Sequence, residues 1–138
     1  MGKTHKISLT SNRFPEIARR LPVATRRIVR ETAHDIERRA KLSIQSGAKT
    51  GRLYRRGKKF HRASAPGQAP ATDTGNLVNS IGVQFTGETR AIVYVGAEYA
   101  PHLEYGTARM AARPFMTPAA EAARPRFLGE LQNLEREL

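Results

Sequence analysis

The side chains best suited to chemistry in this chain are His102 and Glu104, two residues apart within Tyr99-Ala100-Pro101-His102-Leu103-Glu104-Tyr105-Gly106-Thr107. Acid–base catalysis or metal binding needs such groups to meet at one atom, and in a helical or extended segment residues two apart do not converge on one point. His5, His34 and His61 stand alone in the sequence, without the His-x3-His or similar spacing that would ligate a metal from one helix face. The chain has 0 cysteines, so it has neither a disulfide framework nor a thiolate zinc site. No Gly-x-Ser-x-Gly or phosphate-loop pattern occurs, and Thr50-Gly51 and Gly57-Lys58 are too loosely placed to form one. A hydrolase or nuclease would need converging carboxylates or a metal site. The sequence therefore predicts no enzyme, no metal and no cofactor.

Two groups of residues fit packing or docking instead. In the first, Tyr99, Leu103 and Tyr105 are expected to pack in the core, direct contact with a partner being the alternative, while Gly106 permits a turn with φ > 0 that a side chain would hinder. In the second, Pro114 holds an extended approach, Phe115 is an anchor for a pocket, and Arg113 offers a fork for a carboxylate. That pocket is either the subunit's own core or a neighbouring subunit.

The formal charge of +12 is unevenly spread. Residues 1–62 carry 18 basic against 4 acidic side chains, whereas residues 63–138 carry 6 against 8. Such a field favours polyanions, although a solvated basic face is the plainer alternative. The basic set comprises Arg26, Arg27, Arg30, Arg38, Lys41, Lys49, Arg52, Arg55, Arg56, Lys58, Lys59 and Arg62. It suits DNA phosphates held without reading sequence, or an acidic neighbouring protein. Tyr54 and Phe60 lie among these charges but are too few for a single-strand stacking platform. Candidate interface or channel-facing residues are thus Arg52, Tyr54, Arg55, Arg56, Lys58, Lys59, Phe60, Arg62, Arg113 and Phe115.

The elements that must position these residues follow from periodicity. With 138 residues the chain fits one domain. It has no apolar run long enough to span a bilayer and no apolar segment of a signal peptide near Met1, so a cytoplasmic site of synthesis and use is expected. Leu21, Ala24, Ile28, Thr32, Ile36 and Ala40 define one face of a helix over Leu21–Ile44, supported by the pairs Asp35–Arg39 and Glu37–Lys41. Residues 1–20 are open to reading as a flexible arm: Met1–Asn12 as an arm or edge strand, Phe14–Leu21 as a short separate helix. Residues 46–72 read as a long basic loop that buries no core, or as a protruding hairpin around Gly57. Asp73 or Thr74 caps a short helix through Ser80, and Ile81, Val83 and Phe85 alternate as a half-buried strand. After the turn Thr86–Thr89, Ala91–Val95 returns as the second strand of a hairpin. Tyr99–Tyr105 forms one or two helical turns. Thr117-Pro118 reads as an N-cap followed by proline at the first position of a C-terminal helix that presents Phe127, Leu128, Leu131, Leu134 and Leu138. Pro125 is expected to kink or delay that helix. The expected fold is α+β, with a long amphipathic helix packed on a small antiparallel sheet, a long basic loop and a C-terminal helix.

Four blocks stand in a fixed order over roughly residues 20–138: Ser64-Ala65-Pro66-Gly67-Gln68-Ala69-Pro70-Ala71, Asp73-Thr74-Gly75-Asn76-Leu77, Tyr99 to Thr107, and Arg113-Pro114-Phe115-Met116-Thr117-Pro118-Ala119. Together they resemble a family of small tailed-bacteriophage neck proteins, the tail-completion or head-to-tail joining proteins. The resemblance implies a structural protein of the virion neck or tail, assembled in the host bacterial cytoplasm. It further implies a homo-oligomeric ring, six subunits or else twelve, between the head-completion or stopper side and the tail terminator or tail tube, with packaged DNA passing through. Asp73, Thr74, Gly75, Leu77, Tyr99, Leu103, Glu104, Tyr105, Gly106, Thr107 and Pro114 match the structural motif, and Tyr99 to Thr107 would be a corner between the hairpin and the C-terminal segment. A freestanding, sequence-nonspecific nucleic-acid-binding protein is the alternative that the charge permits.

Overall fold

The structure, a computed structural model, describes residues 14–46, 49, 51, 53–56, 59–62, 64, 66–70 and 75–138. The chain runs α1 (Phe14–Arg20), α2 (Pro22–Ser46), β1 (Leu53–Arg56), β2 (Lys59–Arg62), α3 (Asn76–Asn79), β3 (Ile81–Gly87), β4 (Arg90–Val95), α4 (Ala100–Tyr105) and α5 (Met116–Glu135). The fold is α+β. Two antiparallel hairpins, β1–β2 and β3–β4, form separate two-stranded sheets, and α2 packs along α5 and against β3–β4.

The helix α2 forms where its periodicity places it, but its buried stripe is turned from the expected one. Thr25, Ile28, Val29, Ala33, Ile36, Ala40 and Ile44 face inward, while Leu21, Ala24 and Thr32 sit half-buried at the margin. The reason is that α2 serves two cores at once. Its N-terminal half packs with Ile17, Phe127, Leu131 and Leu134, and its C-terminal half with Val93, Val95, Phe115, Met116, Ala119 and Ala123. This order makes α2 and α5 antiparallel, and the alanines on both helices allow close approach. Leu128 and Leu138 contribute only partly.

Phe14–Arg20 is a helix that buries Ile17, so this part of 1–20 is no free arm; residues 1–13 lie outside the described residues. The Thr25 hydroxyl donates to the carbonyl of Leu21 at 2.7 Å, which ties down the bend between α1 and α2. On the exposed face of α2, Asp35 accepts from Arg39 at 2.9 Å and from Arg38 at 2.7 Å, and Glu37 pairs with Lys41 at 3.7 Å. Helix α5 passes through Pro125 without being delayed. That proline is exposed, on the side where water can satisfy the carbonyl it leaves unpaired.

The β3–β4 hairpin pairs Ile81 with Val95, Val83 with Val93 and Phe85 with Ala91, then shifts register between Phe85 and Gly87. Ile81 is buried, but Phe85 is 36% exposed. The strand runs past the core, and Phe85 is covered instead by the Arg30 guanidinium, 4.4 Å from its ring centroid, with the edge of His34 at 5.8 Å. On the other face, Tyr94 lies over Gly82, where an added Cβ would fall 2.6 Å from the tyrosine oxygen.

Candidate functional site

Phe115 to Thr117 reach their positions through a single carboxylate. Glu104, on α4 and only 7% exposed, accepts from the backbone N–H of Phe115 at 2.8 Å, Met116 at 3.0 Å and Thr117 at 2.6 Å. A helix leaves its first four N–H groups without an internal partner. Here Phe115 is the N-cap residue of α5 and makes no side-chain cap. Glu104 binds the first three donors, and the fourth position is Pro118, which has no donor. The expectation that Thr117 caps a helix with Pro118 at its first position is thereby corrected: the proline sits two residues further in, and the cap comes from another helix. A negative charge there also complements the positive end of the helix dipole.

Burial pushes the Glu104 carboxyl up. The hydrogen bonds from the Thr117 side chain and from the amides of Phe115, Met116 and Thr117 outweigh that effect, and the group sits below its ordinary range. An ionised, acceptor-saturated carboxylate is poorly suited to be a general acid or base, and its neighbour His102 is exposed on a different side. Among the described residues no cluster of His, Asp and Glu could hold a metal.

Gly106 ends α4 with φ 77° and ψ 176°, a conformation that is nearly glycine-only. An added Cβ would lie 2.9 Å from the nitrogen of Ala112 and 2.9 Å from the oxygen of Met110, both backbone atoms that cannot swing aside. Gly106→Ala should therefore cost at least the ~1–3 kcal/mol of backbone strain, measured as a lowered urea midpoint with unchanged slope. A variant melting like the wild type would mean the corner is not rigid. Next to this turn, Thr107 exchanges backbone hydrogen bonds with Met110 and accepts from the Arg109 amide at 3.2 Å.

The tyrosines of this block do not pack as expected. Tyr99 is 47% and Tyr105 51% exposed, and the inward positions of α4 are taken by Ala100, Glu104 and the half-buried Leu103. Their place is filled by Phe115, which is 0% exposed and enters the subunit's own core beside Val95, Ala100 and Met116. Of the two open readings of Phe115, the structure takes core docking. Among the described residues Arg113 meets no carboxylate: its Nη1 donates to the Ser64 hydroxyl at 3.3 Å, its backbone N–H donates to Leu103, and its buried Nε has no acceptor there. Pro114 is half-buried between them.

Through Arg113 the corner grips residues 64–70. Gly67 N–H donates to Ala112 at 2.9 Å, and Ser64 and Pro70 are buried. The Lys49 ammonium donates to the carbonyls of Ser43 and Ala69 at 2.8 and 2.9 Å, closing the end of α2 against the same segment. Burial lowers the Lys49 pKa. Lys49 is thus a clamp and leaves the basic surface, and the stretch 46–72, read as a loop that buries no core, is held at Lys49, Ser64, Gly67 and Ala69. Low apolar content does not prevent docking when the anchors are hydrogen bonds to backbone.

The rest of that stretch behaves differently. β1 and β2 pair Leu53 with Arg62, Tyr54 with His61, Arg55 with Phe60 and Arg56 with Lys59, an antiparallel hairpin. Among the described elements this hairpin packs substantially on none but itself. Arg62 is exposed and donates to the Gly51 carbonyl at 3.1 Å. Arg52, Lys58, Asp73 and Thr74 lie outside the described residues. The cap position of α3 belongs to Gly75, at φ 80°, rather than to Asp73 or Thr74, and Leu77 is buried just beyond it.

Sequence reasoning missed the role of Glu104 and Lys49, because both act on backbone groups distant in sequence. Among the described residues no helix is long and apolar enough to cross a membrane. Compared with models of protein families, with curated proteins and with solved structures, the chain matches none.

Proposed function

We propose that this chain is a structural, non-enzymatic neck protein of a tailed phage or phage-like particle, forming a ring that joins the head-completion side to the tail terminator or tail tube. The ordered sequence blocks supply the resemblance. The observation that carries the reading beyond it is the β1–β2 hairpin, which pairs with itself and packs substantially on no other described element. A lone two-stranded hairpin is marginally stable in water, so it takes its support from a neighbour. A ring requires two different surfaces, one reaching out and one receiving, and such a hairpin on a firmly clamped body supplies the first. Six subunits is the expected number, and twelve the other.

The test is particle assembly. Particles made without this protein should accumulate as separate heads and tails in electron micrographs, and the purified chain should restore joining. Reversing Arg55, Arg56 and Lys59 to Glu, on a hairpin that packs substantially on no other described element, should leave melting within about 0.5 kcal/mol of wild type yet reduce joining. Normal joining without the protein overturns the reading. Normal joining with the reversed hairpin reduces that hairpin to a solvated surface.

A further inference from the structure

The basic residues of the N-terminal half divide into two kinds that the sequence does not separate. Toward the C-terminal half of α2 they are ion-paired, with two carboxylates against three cations: Arg38 and Arg39 share Asp35, and Lys41 holds Glu37. Further back, Arg20 pairs with Glu16 at 3.7 Å. By contrast, Arg26, Arg27 and Arg30 form no ion pair among the described residues. Residues 17–34 contain five arginines and a single acid, Glu31. That acid lies within electrostatic reach of α5, where the Arg126 guanidinium is held above its ordinary range first by its hydrogen bond to Glu130 and then by Glu31 and Asp35.

The three unpaired arginines sit within one turn of helix, about 6 Å of rise. Arg27 and Arg30 are exposed, and Arg26 is half-buried. Arg30 is moreover stacked on Phe85, which fixes its guanidinium over the end of the β3–β4 hairpin while leaving its edge N–H groups free to donate. An excess of unneutralised guanidinium groups on a rigid helix, with no aromatic pocket for a base, suits a polyanionic backbone and reads no sequence.

We infer that the Arg26–Arg27–Arg30 surface of α2 binds the phosphate backbone of double-stranded DNA, and that the paired Arg38 and Arg39 do not. This deepens the neck reading, in which DNA passes the ring, by naming the surface that meets it. Each phosphate neutralised releases counterions and steepens the salt dependence of binding by roughly one unit on a log–log plot.

Binding of a random-sequence duplex to the full chain should be followed by fluorescence anisotropy between about 50 and about 200 mM salt. The slope should flatten by about 2 to 3 units in R26A/R27A/R30A and by about 2 units in R27A/R30A, whose two sites are exposed. In R38A/R39A it should change by about 1 unit at most, since Asp35 already compensates one of the two charges. Equal flattening in R38A/R39A and the triple variant would overturn the assignment, as would an unchanged slope in R27A/R30A. Tighter binding of the wild type to polyglutamate than to DNA at equal salt would overturn it in favour of an acidic protein surface. Joining of heads to tails is scored separately: if it proves independent of this chain while the slopes behave as stated, the ring reading fails and the DNA surface stands.

Discussion

Replacing Glu104 by alanine should cost about 3–5 kcal/mol, among the largest effects of any single substitution in this protein. Three backbone donors at the start of α5 lose their acceptor together, in a place only 7% of the Glu104 side chain's residue surface reaches water. Each buried donor left without a partner carries its own desolvation cost of about 1–3 kcal/mol, relieved in part where Thr117 is exposed. Glu104→Gln keeps an acceptor but loses the charge, and should cost about 2 kcal/mol. The two variants also differ from wild type in their response to acid. The folded-state pKa of Glu104 lies below its unfolded value, so its contribution is complete above the unfolded carboxylate range and is lost as pH falls through the lower folded value. Urea unfolding at neutral pH should therefore show a wide gap between wild type and Glu104→Gln, and the gap should close progressively as the pH is lowered past the carboxylate range. A gap that is constant with pH would mean that the charge of Glu104 contributes nothing to the cap.

Phe115→Ala should destabilise the isolated subunit by about 3–5 kcal/mol, as expected for an aromatic ring removed from a closed core. The ring is 0% exposed, and the space left between it and Val95, Ala100, Pro101, Glu104, Tyr105 and Met116 is about 10 Å³, so nothing nearby is positioned to refill the void. Phe115→Leu should cost less, about 1–2 kcal/mol. The measurement is the unfolding midpoint of the purified chain, without particles. A normally melting Phe115→Ala chain that fails to join heads to tails would move Phe115 from the core to an interface and contradict the packing described above. Because Phe115 donates its amide to Glu104, its alanine variant and that of Glu104 should not be additive: both loosen the start of α5.

What could be read from the sequence is what nearest neighbours decide. The extent of α2, the Asp35–Arg39 and Glu37–Lys41 pairs, the β3–β4 hairpin and the need for glycine at Gly106 all follow from residues within a few positions of one another. Periodicity, i,i+4 spacing and backbone conformation are local properties, so their signals survive without knowledge of the fold. Even there the phase of the α2 stripe slipped, because apolar residues on two adjoining faces fit several stripes equally well and only the positions of α5 and β4 select among them.

Tertiary structure decided everything that depends on who lies across the chain. Thr117-Pro118 carries a good capping pattern, yet the helix starts two residues earlier because a carboxylate 11 to 13 residues upstream offers a stronger acceptor than any local hydroxyl. Tyr99 and Tyr105 have the size for a core but lie on the wrong side of α4, and Phe115 takes the space. Lys49 counts toward the polycation in sequence and is withdrawn from it by the carbonyls of Ser43 and Ala69. Arg30 and Arg38 are the same residue type eight positions apart on one helix, and one faces a phenylalanine while the other faces an aspartate. Composition counts charges, but only the fold determines which are already neutralised, because that depends on distances of a few ångströms between groups the chain brings together.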